Sequence, residues 1–212
     1  MKQRFFLLFL LLILFTSIQA KTKKFGTWFE IEFTKEFFKK WEFSVIPEFR
    51  FEDDFSLDEY IFEGKLSYEP FKFLELSSSY RLNTNVKKSG NEISQGVVFD
   101  ISGSTEFNRF EGSLRTRFTN DTDSGDIPWE TFYFRPRLKL QYDIKGNKIE
   151  PYVDYELFYN FKQNDVYKGR FDIGFTRKLG DYHRIGIYYR LQDYFSDRNS
   201  IHILGIDYRF KF

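Results

Sequence analysis

The sequence predicts an all-β chain, an antiparallel transmembrane β-barrel of 10 to 12 strands in up-and-down meander order. Three observations carry that prediction. Apolar and polar residues alternate with a period of two along almost all of the chain after residue 24, which is the spacing of a strand with two unlike faces. Aromatic residues make up 22% of the chain, with 29 Phe and 14 Tyr, yet 30% of it is charged and the mean hydropathy is negative. A soluble core rarely needs both, whereas a barrel with an apolar outside and a polar inside does. Finally, short and long connections alternate between the segments, as periplasmic turns and external loops do.

The first element is a leader. Lys2 and Arg4 precede eleven consecutive apolar residues, Phe5 to Phe15, and the small and polar stretch Thr16 to Ala20 follows. This is the pattern of a secretory signal peptide cut after Ala20, leaving residues 21–212 as the barrel. An apolar run of eleven is too short for a spanning helix, which needs about 20. The chain has no cysteine, so neither lipoprotein acylation nor a disulfide framework is available. Lys plus Arg, at 32, nearly cancel Asp plus Glu, at 31, which gives no case for a nucleic-acid partner.

The strands follow in order. Period-two segments occupy about 25–33, 41–51, 60–69, 73–83, 94–106, 110–119, 129–143, 149–161, 169–179, 183–195 and 201–212. In 41–51, Trp41, Phe43, Val45, Pro47, Phe49 and Phe51 share one face, and Glu42, Ser44, Ile46, Glu48 and Arg50 share the other. The same split recurs in 60–69 and 110–119, where Phe110, Leu114 and Phe118 oppose Glu111, Arg115 and Arg117. Counting back from a C-terminus placed in the periplasm gives ten strands from residue 41 and leaves 25–33 over. Because single-chain bacterial barrels have even strand numbers, the expectation is ten with an irregular start, or twelve with a strand missed.

Parity alone does not say which face points inward, since a soluble lipocalin-like barrel would turn its apolar face to a ligand cavity. The aromatic face on nearly every strand, the loop asymmetry and the chain end favour lipid outside. Tyr208, Phe210 and Phe212 share one face and, with Gly205, resemble the C-terminal signal that the barrel-assembly machinery recognises. The charged face then lines the lumen, and its densest cluster is Arg115, Arg117, Arg135, Arg137 and Lys139, with Asp154 and Glu156 on the next strand. A hairpin that sets Asp143 near Glu150 places Lys139 opposite Asp154 and Arg137 opposite Glu156, so opposite signs meet and are expected to pair.

Trp28, Glu48-Phe49-Arg50, Arg115-Thr116-Arg117, Arg135-Pro136-Arg137-Leu138, Tyr155-Glu156-Leu157-Phe158, Arg170 with Gly174, and Tyr189-Arg190 together form a recognisable pattern. Over nearly all of residues 21–212 it resembles the small outer-membrane barrels grouped as domain of unknown function 2490. The resemblance implies a barrel in the outer membrane and no catalytic residue; with that location, a Gram-negative bacterium and surrounding outer-membrane lipid and lipopolysaccharide are expected.

Catalytic and metal chemistry find little purchase. Barrel enzymes generally use a histidine, and this chain has two. His183 falls in a short turn, and His202 lies on the apolar face near Ser200 and Asp197, where an interfacial role is expected. The loop Asn120 to Asp126 has calcium-ligand spacing but carries Thr131 where the bidentate Glu should stand. No cofactor is expected. Three functions remain open: a structural or binding barrel with a charge-filled lumen, which is the expectation; a narrow porin-like channel favouring anions; and an enzyme acting on surface lipid or peptide.

Overall fold

A computed structural model describes residues 22–120, 131–196 and 199–212, with side chains from residue 24. The leader, loop residues 121–126 and Asp197 lie outside them. Eleven strands form one closed barrel: β1 (Thr22–Phe37), β2 (Trp41–Phe51), β3 (Leu57–Phe71), β4 (Leu74–Asn85), β5 (Glu92–Phe107), β6 (Phe110–Thr119), β7 (Tyr133–Tyr142), β8 (Ile149–Asn160), β9 (Asp165–Leu179), β10 (His183–Tyr194) and β11 (Asn199–Lys211). Each strand pairs antiparallel with its neighbours in sequence, as an up-and-down meander requires.

The count is eleven, neither the ten nor the twelve that even numbering allows. The segment 25–33 is the middle of a full strand, and β1 closes the barrel by pairing parallel with β11, from Thr22↔Asn199 to Thr34↔Lys211. An odd meander brings its first and last strands into the same direction. Parallel pairing, slightly weaker per residue, still satisfies both edges, and this satisfaction is what closure must achieve. A consequence is that β1 begins at one end of the barrel and the chain finishes at the other.

One end carries the connections 38–40, 72–73, 108–109, 143–148 and 180–182 together with Phe212; the other carries 52–56, 86–91, 120–132, 161–164 and 195–198. The length asymmetry is milder than the sequence suggests, because the strands run further into the connections. At the 38–40 turn, Phe38 and Lys39 both take φ near 60°, the left-handed geometry that tight hairpins demand.

The face assignment is unambiguous. Phe33, Phe43, Phe62, Phe99, Leu114, Leu138 and Ile173 stand outward and exposed, while Glu48, Arg135, Asp154, Glu156 and Asp172 are buried inside. The polarity is therefore that of an inside-out protein, opposite to a soluble barrel with an apolar cavity. Inward glycines make room where the lumen is tight: a Cβ on Gly205 would lie 2.0 Å from the Tyr188 ring, and one on Gly186 would lie 2.0 Å from the Asp207 carboxylate.

Candidate functional site

The candidate site is the lumen, and it is built by parity. Every second residue of eleven strands points inward, so the polar half of each strand converges on one axis. Register then decides cross-strand neighbours. The β7–β8 hairpin sets Arg137 opposite Glu156 and Lys139 opposite Asp154, the partners that sequence spacing predicts.

The ion pairs do not follow that register. Glu156, 4% exposed, is held by Arg115 at 2.5 Å, by Arg135 through two contacts at 3.2 and 3.4 Å, and by Arg170 at 3.9 Å. Arg137 has no carboxylate within ion-pair reach among the described residues, and Lys139 lies over the Tyr152 ring at 4.2 Å instead of on Asp154. The expected pairs Arg137–Glu156 and Lys139–Asp154 are thus absent. Arg and Glu side chains are long enough to reach past the strand opposite, and Glu156 selects the three guanidinium groups that converge on it. Arg117 goes elsewhere, clamping Asp100 at 2.8 and 2.7 Å in the two-point geometry that suits a guanidinium and a carboxylate.

Further pairs complete a lattice around the wall. Arg190 grips Asp172 at 2.8 and 2.7 Å, Arg50 bonds Glu48 at 2.7 Å and also Glu59, and Arg209 bonds Glu32 at 2.6 Å across the parallel seam. Two aromatic residues organise the cations: Trp28 has Arg50, Arg190 and Arg170 at 4.0, 5.0 and 5.3 Å, and buried Phe158 has Lys168, Arg135 and Arg170 at 4.0, 4.2 and 4.7 Å. Each such contact is worth about 0.5–2 kcal/mol. Glu30, Glu32, Trp28, Phe158 and Lys168 are lumen residues that sequence reasoning missed as site members. Phe158 left a signal, since it is an aromatic residue on the otherwise polar face of β8; Trp28, Glu30 and Glu32 share one face of the period-two segment 25–33, but that segment has no partner strand assigned from the sequence.

Among the described residues the space inside holds three chambers. The one at the long-loop end is about 370 Å³ and shares Trp28, Arg50 and Arg170 with a central chamber of about 320 Å³. The third, about 210 Å³, lies toward the short turns and shares Glu30, Arg137 and Arg190 with the centre. Among the described residues no group of three or more His, Asp or Glu is placed to hold a metal ion.

The remaining sequence-predicted residues sit outside the lumen, Gly205 excepted. Gly205 faces inward under Tyr188, so it has a packing reason of its own. Tyr208, Phe210 and Phe212 lie on the outer face: Phe210 stacks between His183 and Phe212, His183 Nδ1 is 2.6 Å from the Tyr208 hydroxyl, and Phe212 N–H donates to the Thr34 carbonyl at 2.9 Å. His202 shares a hydrogen bond with the Tyr189 hydroxyl and makes none with Ser200.

None of the curated proteins matches the chain. Among solved structures it is similar to the β domain of the Bordetella autotransporter BrkA, with 15% sequence identity, a TM-score of 0.52, and coverage of 81% of this chain and 83% of that one. At that identity the likeness is one of fold. The family model described as protein of unknown function (DUF2490) matches residues 25–201, from the first outward phenylalanine of β1 into β11, and the chain belongs to that family.

Proposed function

We propose that this protein resides in the outer membrane of a Gram-negative bacterium as a structural or binding barrel whose lumen is closed by its own ion pairs. The location is supported by the exterior: each outward Phe, Leu or Ile forgoes about 1.5–3 kcal/mol of burial if it faces water, and lipid removes that cost. The BrkA likeness supports the same placement through fold alone. On this reading lipid and lipopolysaccharide surround the wall, the barrel-assembly machinery receives the Phe212 end, the short turns face the periplasm, and no residue is catalytic.

The observation that carries closure is Glu156, buried at the centre with guanidinium groups from β6, β7 and β9 upon it. Charges engaged with one another in this way are poor at passing ions, because conduction needs sites that bind and release. Barrels of about eight strands are filled by their own side chains, and wide aqueous channels belong to much larger ones. The test is conductance of the purified, folded protein in a planar bilayer. No reproducible current is expected. A steady, anion-selective current would replace this reading with that of a narrow channel.

A further inference from the structure

The 210 Å³ chamber at the short-turn end differs from the rest of the lumen in what its charges do. Elsewhere the inward charges are largely engaged. Here Asp172 is clamped by Arg190 and Glu32 by Arg209, but five lining groups have no ion-pair or hydrogen-bond partner among the described residues: Arg137, Lys139, Asp154, Glu30 and Asp207.

They are not scattered. Arg137 and Lys139 are successive inward positions of β7, with Asp154 beside them on β8; Glu30 and Asp207 are register partners across the parallel β1–β11 seam. Strands β9 and β10 separate the two groups on one side of the barrel, and β2 to β6 separate them on the other, so they face one another across the chamber. The β7–β8 wall is net positive and the seam wall net negative. The seam carboxylates Glu30 and Asp207 lie across the chamber from Arg137 and Lys139 with no ion pair or hydrogen bond to them, and Asp154, beside Lys139 in the ladder, is unbonded as well. Stranding unpaired charges in a partly enclosed space is costly. A molecule with a negative group at one end and a positive group at the other would satisfy both walls at once.

We propose that this chamber binds a small zwitterion of the amino-acid or short-peptide class, with its carboxylate on Arg137 and Lys139 and its ammonium on Glu30 and Asp207. The Tyr152 and Tyr188 rings line the space between the two ends, and the chamber lies toward the short turns, so the ligand enters from the periplasmic side. Arg137 supplies the two-point donor that fits a carboxylate. This proposal rests on the reading of the barrel as a closed binding body.

The test is calorimetric titration of the folded, full barrel in detergent micelles with glycylglycine, with N-acetylglycine and glycinamide as probes carrying one end only. Saturable glycylglycine binding is expected, with each single-ended probe weaker by about tenfold or more, since a charge-assisted hydrogen bond is worth about 1.5–3 kcal/mol. Arg137→Leu should weaken glycylglycine by the same order and leave glycinamide unchanged, and Asp207→Asn should weaken glycylglycine and leave N-acetylglycine unchanged. Arg137 is in no ion pair, so its replacement should not impair folding, and an unchanged unfolding midpoint verifies this. Absence of glycylglycine binding, binding of either single-ended probe as tight as glycylglycine, or indifference to both substitutions overturns the proposal. If those results come from a barrel that carries no current, the closed-lumen reading stands and only the ligand is wrong; if the barrel conducts, that reading has failed itself.

Discussion

Replacing Glu156 with Gln keeps the volume of the side chain and removes its charge. In the folded barrel Glu156 is 4% exposed and lies within 2.5 to 3.9 Å of three guanidinium groups. Arg115 and Arg135 have no other carboxylate partner among the described residues, so Glu156→Gln leaves the buried Arg135 and the part-buried Arg115 uncompensated. Breaking a buried pair in this manner costs about 3–5 kcal/mol, and the contact of Arg135 with Phe158, worth at most about 2 kcal/mol, does not replace it. Arg137→Leu is the matched control: it sits opposite Glu156 in register yet carries no pair, so its removal should cost less than about 1 kcal/mol. Urea unfolding in lipid vesicles, followed by tryptophan fluorescence, reads both midpoints and slopes. A double substitution removing Arg135 with Glu156 should recover part of the loss, because the two share one interaction. A Glu156→Gln barrel within about 1 kcal/mol of the parent, or an Arg137→Leu barrel equally weakened, would refute the claim that the ion pairs on Glu156 stabilise the barrel.

Three further outcomes follow from the same geometry. Deleting Phe212 should lower the amount of assembled barrel in cells while leaving the urea midpoint of refolded protein nearly unchanged, because Phe212 is half-exposed at the chain end; equal cellular levels would contradict a role in assembly. Gly205→Ala drives a methyl group into the Tyr188 ring and should cost about 1–3 kcal/mol, with partial recovery when Tyr188 is also shortened to Leu; an undisturbed midpoint would contradict the packing. An epitope placed immediately before Thr22 or in 86–91 should react with antibody on intact cells, whereas one in 143–148 should react only after the outer membrane is opened, and the reverse pattern would invert the orientation.

Much of this architecture is local and therefore readable along the chain. Period-two alternation tells which residues share a face, because successive Cβ atoms in a strand point to opposite sides. The connection of β7 to β8 by 143–148 is short enough for hairpin geometry to place Lys139 beside Asp154 and Arg137 beside Glu156 without knowledge of any other strand. Closure is not local. The parallel seam joins Thr22 to Asn199 and Glu32 to Arg209, residues whose sequence neighbourhoods carry no mark of one another, so the segment 25–33 is readable as a strand while its partner, and with it the odd count, is decided only when the sheet curves round to meet itself. The choice of ion-pair partners is decided there as well. Backbone register brings Arg137 beside Glu156, but Arg115, from one strand further along the wall, reaches the carboxylate instead, because a guanidinium on a long flexible stem answers to the three-dimensional field of the lumen and not to its place in the ladder.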